Sequence, residues 1–145
     1  MQISSRFTIA LHMFGCIEYF GKKQKVTSEL MAASTGVNPV VIRRIMQQLR
    51  EAGLIEVKRG SGGILLTRPL SEITFLDVFR AVDPIKNDDL FNFHAMPNPE
   101  CPVGRNIHAV LDDRLQEVQR AMEQELASIT LEEVTEDLEG RIRHE

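Results

Sequence analysis

The segment around Gly36 constrains the fold of this chain more than any other feature. Glycine readily adopts the left-handed backbone conformation of a tight turn, and Gly36 lies just before an Asn38–Pro39 pair. Asparagine is a favoured helix cap, and proline is favoured at the first helical position. The sequence therefore predicts a helix over residues 39–52, preceded across the turn by a shorter helix over residues 28–34. Two helices joined by such a glycine-containing turn form the helix-turn-helix pattern.

The residues that follow this second helix predict a basic β-hairpin. Residues 54–58 and 64–67 have the composition of strands, and the segment 59–63 between them is rich in glycine. A hairpin directly after a helix-turn-helix is a wing. A broad apolar helix over residues 4–20 is expected at the centre of the core. The predicted fold class is therefore mainly α with a small β wing, as a winged helix-turn-helix unit over residues 1–68.

A long amphipathic helix is predicted from Cys101 to about Ile129. Its apolar positions recur every three or four residues and form a narrow seam. Such a helix would be about 40 Å long, which is more than a domain of this size covers by itself. We therefore expect a homodimer in which the same helix of a second copy packs against the seam. The candidate interface residues are Ile107, Leu111, Leu115, Val118, Met122 and Leu126.

The remaining segments connect and complete these units. Residues 69–100 are predicted to hold a short helix, capped by Thr74, and a loop. Thr130 begins a capping box that starts a last short helix, and this helix is predicted to end before Gly140. Residues 101–145 are accordingly predicted to form the long dimerisation helix and a short C-terminal helix.

The charge of the chain is divided between its two halves. Residues 1–70 carry ten Lys or Arg against four Asp or Glu, whereas residues 71–145 carry seven against seventeen. This asymmetry predicts a basic contact surface on the N-terminal unit, joined to an acidic, solvated body.

The basic unit carries side chains suited to DNA. The start of the second helix of a helix-turn-helix enters the major groove, where Arg pairs with guanine, Gln with adenine, and an apolar group touches the thymine methyl. Arg59, at the wing, suits a narrow minor groove. Double-stranded DNA is therefore the expected partner. The candidate DNA-binding residues are Thr27, Ser28, Asn38, Pro39, Val40, Arg43, Arg44, Gln47, Lys58, Arg59 and Ser61.

Other classes of protein are less consistent with the sequence. It contains no glycine-rich phosphate loop, no cluster of metal-spaced ligands and no nucleophile elbow, so an enzyme is not expected. It has no secretory signal and no apolar run of about 20 residues, which predicts a cytoplasmic protein without a membrane span. A winged helix used for protein contacts is an alternative, but Arg43, Arg44 and Gln47 make the relevant helix face polar.

Three stretches resemble the Rrf2 family of bacterial winged-helix regulators. They are residues 41–66, residues 73–82 and residues 129–134, within a resemblance that extends over residues 4–138. The resemblance implies a dimer crossed over by the long helix, two wings in minor grooves, an inverted-repeat operator and, as the commoner behaviour, repression. Members that bind an iron–sulfur cluster are expected to carry three cysteines before the long helix. Only Cys101 lies there, so the chain is similar to a cluster-free branch, and neither a cluster nor another metal is expected.

Cys101 has two interpretations that the sequence leaves open. A helix N-terminus lowers the pKa of a thiol and raises its reactivity, with Arg105 favouring and Glu100 opposing the thiolate. Cys101 is then a sensor of oxidants or electrophiles that alters DNA binding, or a packed residue without a signalling role. Alternatively, the signal is a small metabolite or partner protein bound between the winged unit and the long helix. Cys16 is expected to be a buried small hydrophobe.

Overall fold

The fold was analysed in a computed structural model that describes residues 4–59, 63–83, 90–91 and 94–145. The winged unit consists of α1 (Arg6–Gly21), α2 (Ser28–Thr35), α3 (Pro39–Glu51), β1 (Ile55–Lys58) and β2 (Gly63–Leu66). A 3₁₀ turn (Leu70–Glu72) leads to α4 (Phe75–Val82), α5 (Pro102–Ser128) and α6 (Leu131–Arg143). The predicted mainly α fold with a small β wing is confirmed. No helix of the described segments is long and apolar enough to cross a membrane.

The helix starts depend on side-chain caps, as the sequence predicts. The hydroxyl of Thr27 accepts a hydrogen bond from the Leu30 N–H at 3.1 Å, and the side-chain oxygen of Asn38 accepts one from the Val40 N–H at 2.8 Å. Thr74 and Thr130 each begin a capping box. A cap of this kind contributes about 1 kcal/mol, so these residues fix where α2, α3, α4 and α6 begin.

Glycines set the turn and the base of the wing. Gly36 ends α2 with φ 71°, the left-handed conformation predicted for the turn before α3. Strands β1 and β2 pair antiparallel, with Ile55 opposite Leu66 and Lys58 opposite Gly63. The tip of the wing, residues 60–62, lies outside the described residues, and with it the predicted contact residue Ser61.

The core is built around α1, which confirms its predicted central place. Ala10, Met13, Phe14 and Ile17 are buried there. Helix α3 contributes Ile42, Ile45 and Leu49 to the same core. Residues from beyond the wing complete it: Ile73, Val78, Val82 and Leu131. The winged unit therefore shares one apolar core with α4 and the start of α6.

Helix α5 is less buried than the other α-helices. It contains no buried residue. It packs against α4, where Arg80 lies 3.7 Å from Glu123. Val103, near its start, is 69% exposed. The chain itself thus leaves an apolar stripe on α5 partly uncovered. This stripe is the predicted seam and consists of Ile107, Leu111, Leu115, Val118, Met122 and Leu126.

The predicted end of α6 is wrong. The helix passes through Gly140 and ends at Arg143. Glycine inside a helix costs about 1 kcal/mol relative to alanine, but two contacts oppose this. Arg141 pairs with Asp137 at 3.3 Å one turn earlier, and Ile142 lies in an apolar cleft against α1.

Candidate nucleic-acid interface

The two faces of α3 have opposite characters. Ile42, Ile45 and Leu49 are fully buried. The other face repeats at the same helical spacing and is exposed; it consists of Val40, Arg43, Arg44 and Gln47. The buried face fixes the helix on the core, and the exposed face is presented to a partner.

Arg43 is held only weakly by the protein itself. Its guanidinium Nη2 lies 3.6 Å from Glu29 Oε1, and the two side chains are 55% and 70% exposed. The pKa of the Glu29 carboxyl is lowered, first by its own backbone N–H and then by the Ser28 hydroxyl, with Arg43 contributing less. Ion pairs between exposed side chains such as these contribute little to stability, because water and salt screen them. Arg43 can therefore exchange Glu29 for another acceptor at little cost.

The polar partners of the other predicted contact residues also lie at the surface. The side-chain nitrogen of Gln47 donates to Glu51 Oε1 at 3.2 Å, and the Ser28 hydroxyl donates to Glu29 Oε2 at 3.1 Å. Thr27 and Asn38 use their side-chain oxygens as caps, which leaves the amide nitrogen of Asn38 for a contact outside the helix. Pro39 occupies the first turn of α3 and is only half-buried.

The wing adds cations beside α3. Lys58 and Arg59 are both exposed. Within the described part of the chain, Arg44, Lys58 and Arg59 make no ion pair, so these charges are available to phosphate. Arg43, Gln47 and Val57 line a concavity between α3 and β1, so the structure brings the two elements to one surface.

Gly63 fixes the base of the wing, a role that is not predicted from the sequence. Its φ is +64°, and a side chain there would place its Cβ 2.8 Å from Lys25 Cγ and 3.0 Å from the Val26 carbonyl oxygen. Only glycine fits this close approach. The base of the wing therefore packs against Lys25 and Val26, in the segment that precedes α2.

The predicted seam on α5 is partly exposed. Val118 is 53% exposed and Leu111 is 36% exposed. Ile107, Leu115, Met122 and Leu126 have intermediate exposure. The six residues thus lie on a surface that the chain itself covers only in part.

Cys101 directly precedes α5 and is partly exposed. The backbone N–H groups of Gly104 and Val103 lower the pKa of its thiol. Arg105, predicted to favour the thiolate, instead donates to the Pro99 carbonyl oxygen at 3.2 Å. Cys16 is buried in α1, as predicted, and burial raises the pKa of its thiol.

An exposed basic helix beside a winged hairpin defines a winged-helix, DNA-binding transcriptional regulator. The sequence matches the Rrf2 family, described as iron-dependent transcriptional regulators, over residues 3–137. The chain belongs to this family. It is 40% identical over 136 residues to the HTH-type transcriptional regulator YwnA of Bacillus subtilis (strain 168), covering 94% of this chain and 98% of YwnA.

Solved structures show the same fold. A protein whose crystal structure is described as that of a DNA-binding protein is 36% identical, with a TM-score of 0.69 over 89% of this chain and 97% of the other. T. potens IscR is 24% identical, with a TM-score of 0.68 over 95% and 88% of the two chains. The predicted resemblance to the Rrf2 family is confirmed.

The donor set of this chain does not fit the iron chemistry in the family's description. Iron–sulfur clusters are held mainly by several cysteine thiolates, and the chain has two cysteines. Cys16 is buried in α1, which leaves Cys101 alone at the start of α5. Among the residues that the structure describes, no group of three or more His, Cys, Asp or Glu could hold a metal ion.

Proposed function

We propose that this regulator binds an inverted-repeat operator as a homodimer, with α3 in the major groove and the wing along the minor groove of each half-site. The exposed, polar face of α3 beside the basic wing is the observation that carries the proposal. Arg43 is suited to guanine, Gln47 to adenine and Val40 to a thymine methyl. Thr27, Ser28, Asn38, Arg44 and the wing cations Lys58 and Arg59 are suited to the backbone that flanks these bases.

The homodimer is supported by the uncovered stripe on α5. Apolar side chains exposed along a helix of 27 residues are stabilised when a second apolar surface removes them from water. The same stripe on a second copy supplies that surface, and two-fold symmetry would place the two α3 helices on successive half-sites. We further propose that the regulator represses transcription, which is the commoner behaviour that the family resemblance implies. We propose the cytoplasm as its location.

The operator proposal is tested by selection from a pool of random duplexes, with wild type beside Arg43→Ala. We expect an inverted repeat to be enriched by wild type. On that repeat, Arg43→Ala should lose about 1–3 kcal/mol of affinity, with relaxed preference at one position of each half-site, because a bidentate contact to guanine is removed.

The matched control is Arg141→Ala. Arg141 is also an exposed arginine in a single surface ion pair, but it lies on α6. It should keep the operator affinity of wild type. Equal affinity of Arg43→Ala and wild type, or an equal loss in the two variants, would contradict the proposed role of Arg43.

We also propose that Cys101 makes DNA binding responsive to peroxide or hypochlorite. With peroxide, the thiolate sulfur attacks one oxygen, the O–O bond breaks, and the products are a sulfenic acid and hydroxide. Because N–H groups at the start of α5 lower the pKa of Cys101, this thiol should react well before the buried Cys16. A sulfenic acid at Cys101 would lie at the start of the proposed dimerisation helix, where it can alter the spacing of the two α3 helices in the dimer.

Iodoacetamide labelling followed by mass spectrometry tests the reactivity. Cys101 should be labelled at least about tenfold faster than Cys16 near pH 7, because it has the larger thiolate fraction and exposure. Peroxide should change operator affinity in wild type and in Cys16→Ser, and leave Cys101→Ser unaffected. An equal peroxide response in Cys101→Ser would show that this cysteine is not the sensor.

A further inference from the structure

A cleft between α1 and α6 lies apart from the proposed DNA surface. Its volume is about 410 Å³, within the range of ~300–1,000 Å³ typical of small-molecule pockets. The cleft does not involve the long helix α5. It is lined by residues of α1 and α6, with Ser34 contributed by α2.

The wall of the cleft is apolar and aromatic. Phe14 and Leu131 are buried in it, and the rings of Tyr19 and Phe20 meet edge to face at 5.1 Å. The hydroxyl of Thr135 is already engaged, because it donates to the Leu131 carbonyl oxygen at 2.9 Å. Among the described residues that line the cleft, none is Asp, Glu, Lys or Arg. Lys23 Nζ lies 5.4 Å from the centroid of the Tyr19 ring, outside the lining residues. A charged group placed deeper, against Phe14 and Leu131, would lose its hydration without a Lys or Arg beside it, which is costly.

The polar groups of the cleft converge at one place. His12 Nε2 and Ser34 Oγ are 2.8 Å apart, and the Ser34 hydroxyl also interacts with the thiol of Cys16. Burial raises the pKa of this thiol, so Cys16 stays protonated and acts as a hydrogen-bonding group rather than a nucleophile. This arrangement offers one hydrogen-bonding position at the edge of an apolar wall.

The packing of α6 on α1 shapes the cleft, because Leu131 of α6 is buried in the same core as Phe14 of α1. Lys22, at the end of α1, lies 2.9 Å from Glu139 of α6. Next to the wall, a Cβ on Gly15 would come within 3.2 Å of Leu138 Cδ2, so glycine lets the two helices approach. The cleft is therefore formed before any ligand arrives, which lowers the entropic cost of binding.

We propose that the α1–α6 cleft binds an uncharged, mainly aromatic or aliphatic small molecule that carries one hydrogen-bonding group, with that group directed at Ser34 and His12. The site is separate from the DNA surface. Its ligand binding can therefore be measured without an operator, and does not depend on the proposed function.

Two fluorescent probes with a shared aromatic skeleton test the proposal. N-phenyl-1-naphthylamine is uncharged, and 8-anilinonaphthalene-1-sulfonate carries a sulfonate on the same skeleton. The uncharged probe should bind saturably, once per protomer. The sulfonate should bind at least about tenfold more weakly, since no Lys or Arg is among the described lining residues and the deep wall of the cleft is apolar. Stronger binding of the sulfonate, or no saturable binding of the uncharged probe, would overturn the proposal.

Variants locate the probe. Leu138→Trp fills the cleft and should reduce affinity for N-phenyl-1-naphthylamine at least about tenfold, and Ser34→Ala should reduce it roughly fivefold through loss of one hydrogen bond. Met96→Trp, at a residue that is 93% exposed elsewhere, should bind like wild type. Unchanged binding in a folded Leu138→Trp protein, checked by circular dichroism, would overturn the assignment. If Leu138→Trp does not fold, unchanged probe binding in Ser34→Ala would overturn the assignment instead.

Discussion

Replacing Leu111 and Val118 together with Asp should convert the proposed dimer into monomers. Both side chains are exposed on the α5 stripe, and two carboxylates facing their symmetry copies would bury like charges in an apolar interface. Because each monomer would then meet only one half-site, operator affinity should fall by about a thousandfold, towards non-specific binding. Analytical ultracentrifugation measures the mass, and fluorescence anisotropy on the selected operator measures the affinity.

The matched control is Gln116→Asp with Gln124→Asp. It makes the same change of charge on the same helix, but at exposed positions on the face opposite the stripe. This variant should remain dimeric and keep most of its operator affinity. A dimer that survives in the Leu111 and Val118 variant, or dissociates equally in the control, would rule out α5 as the dimerisation surface.

The second large effect is expected from Ile42→Ala. Ile42 is 0% exposed and anchors α3 on the core. Removing its side chain should destabilise the fold by about 2–5 kcal/mol, through lost apolar burial and the cavity left behind. Chemical denaturation should be measured at equal protomer concentrations, since the stability of a dimer depends on concentration.

Val40→Ala serves as the control on the same helix. Val40 is 50% exposed, so its removal should change stability by less than about 0.5 kcal/mol while weakening recognition of any thymine it contacts. The stabilities of the two variants therefore distinguish the buried face of α3, which carries Ile42, from its exposed face, which carries Val40. Equal stability of Ile42→Ala and wild type would contradict the buried placement of this face.

Much of the fold follows from the sequence because its signals act over a few residues. Thr27, Asn38, Thr74 and Thr130 cap helices through N–H groups two or three residues away. Gly36 provides the turn conformation by itself. The face of α3 that carries Arg43 also follows from helical spacing alone.

Features that join distant segments of the chain depend on tertiary packing. The need for glycine at position 63 depends on Lys25 and Val26, which lie far away in the sequence. The same holds for the end of α6, because Ile142 packs in the cleft against α1 and the helix continues through Gly140. His12 and Ser34 meet only because α1 and α2 pack together.

The physical reason is the range of the interactions. Caps, turns and helical periodicity are set by backbone groups within about one helical turn, so each can be read from a short stretch of sequence. Close approach, cleft shape and the uncovered stripe on α5 depend on how several helices pack at once. Local sequence signals therefore specify the winged helix-turn-helix and its exposed basic face, whereas the cleft and the polar groups within it arise from the packing of α1, α2 and α6.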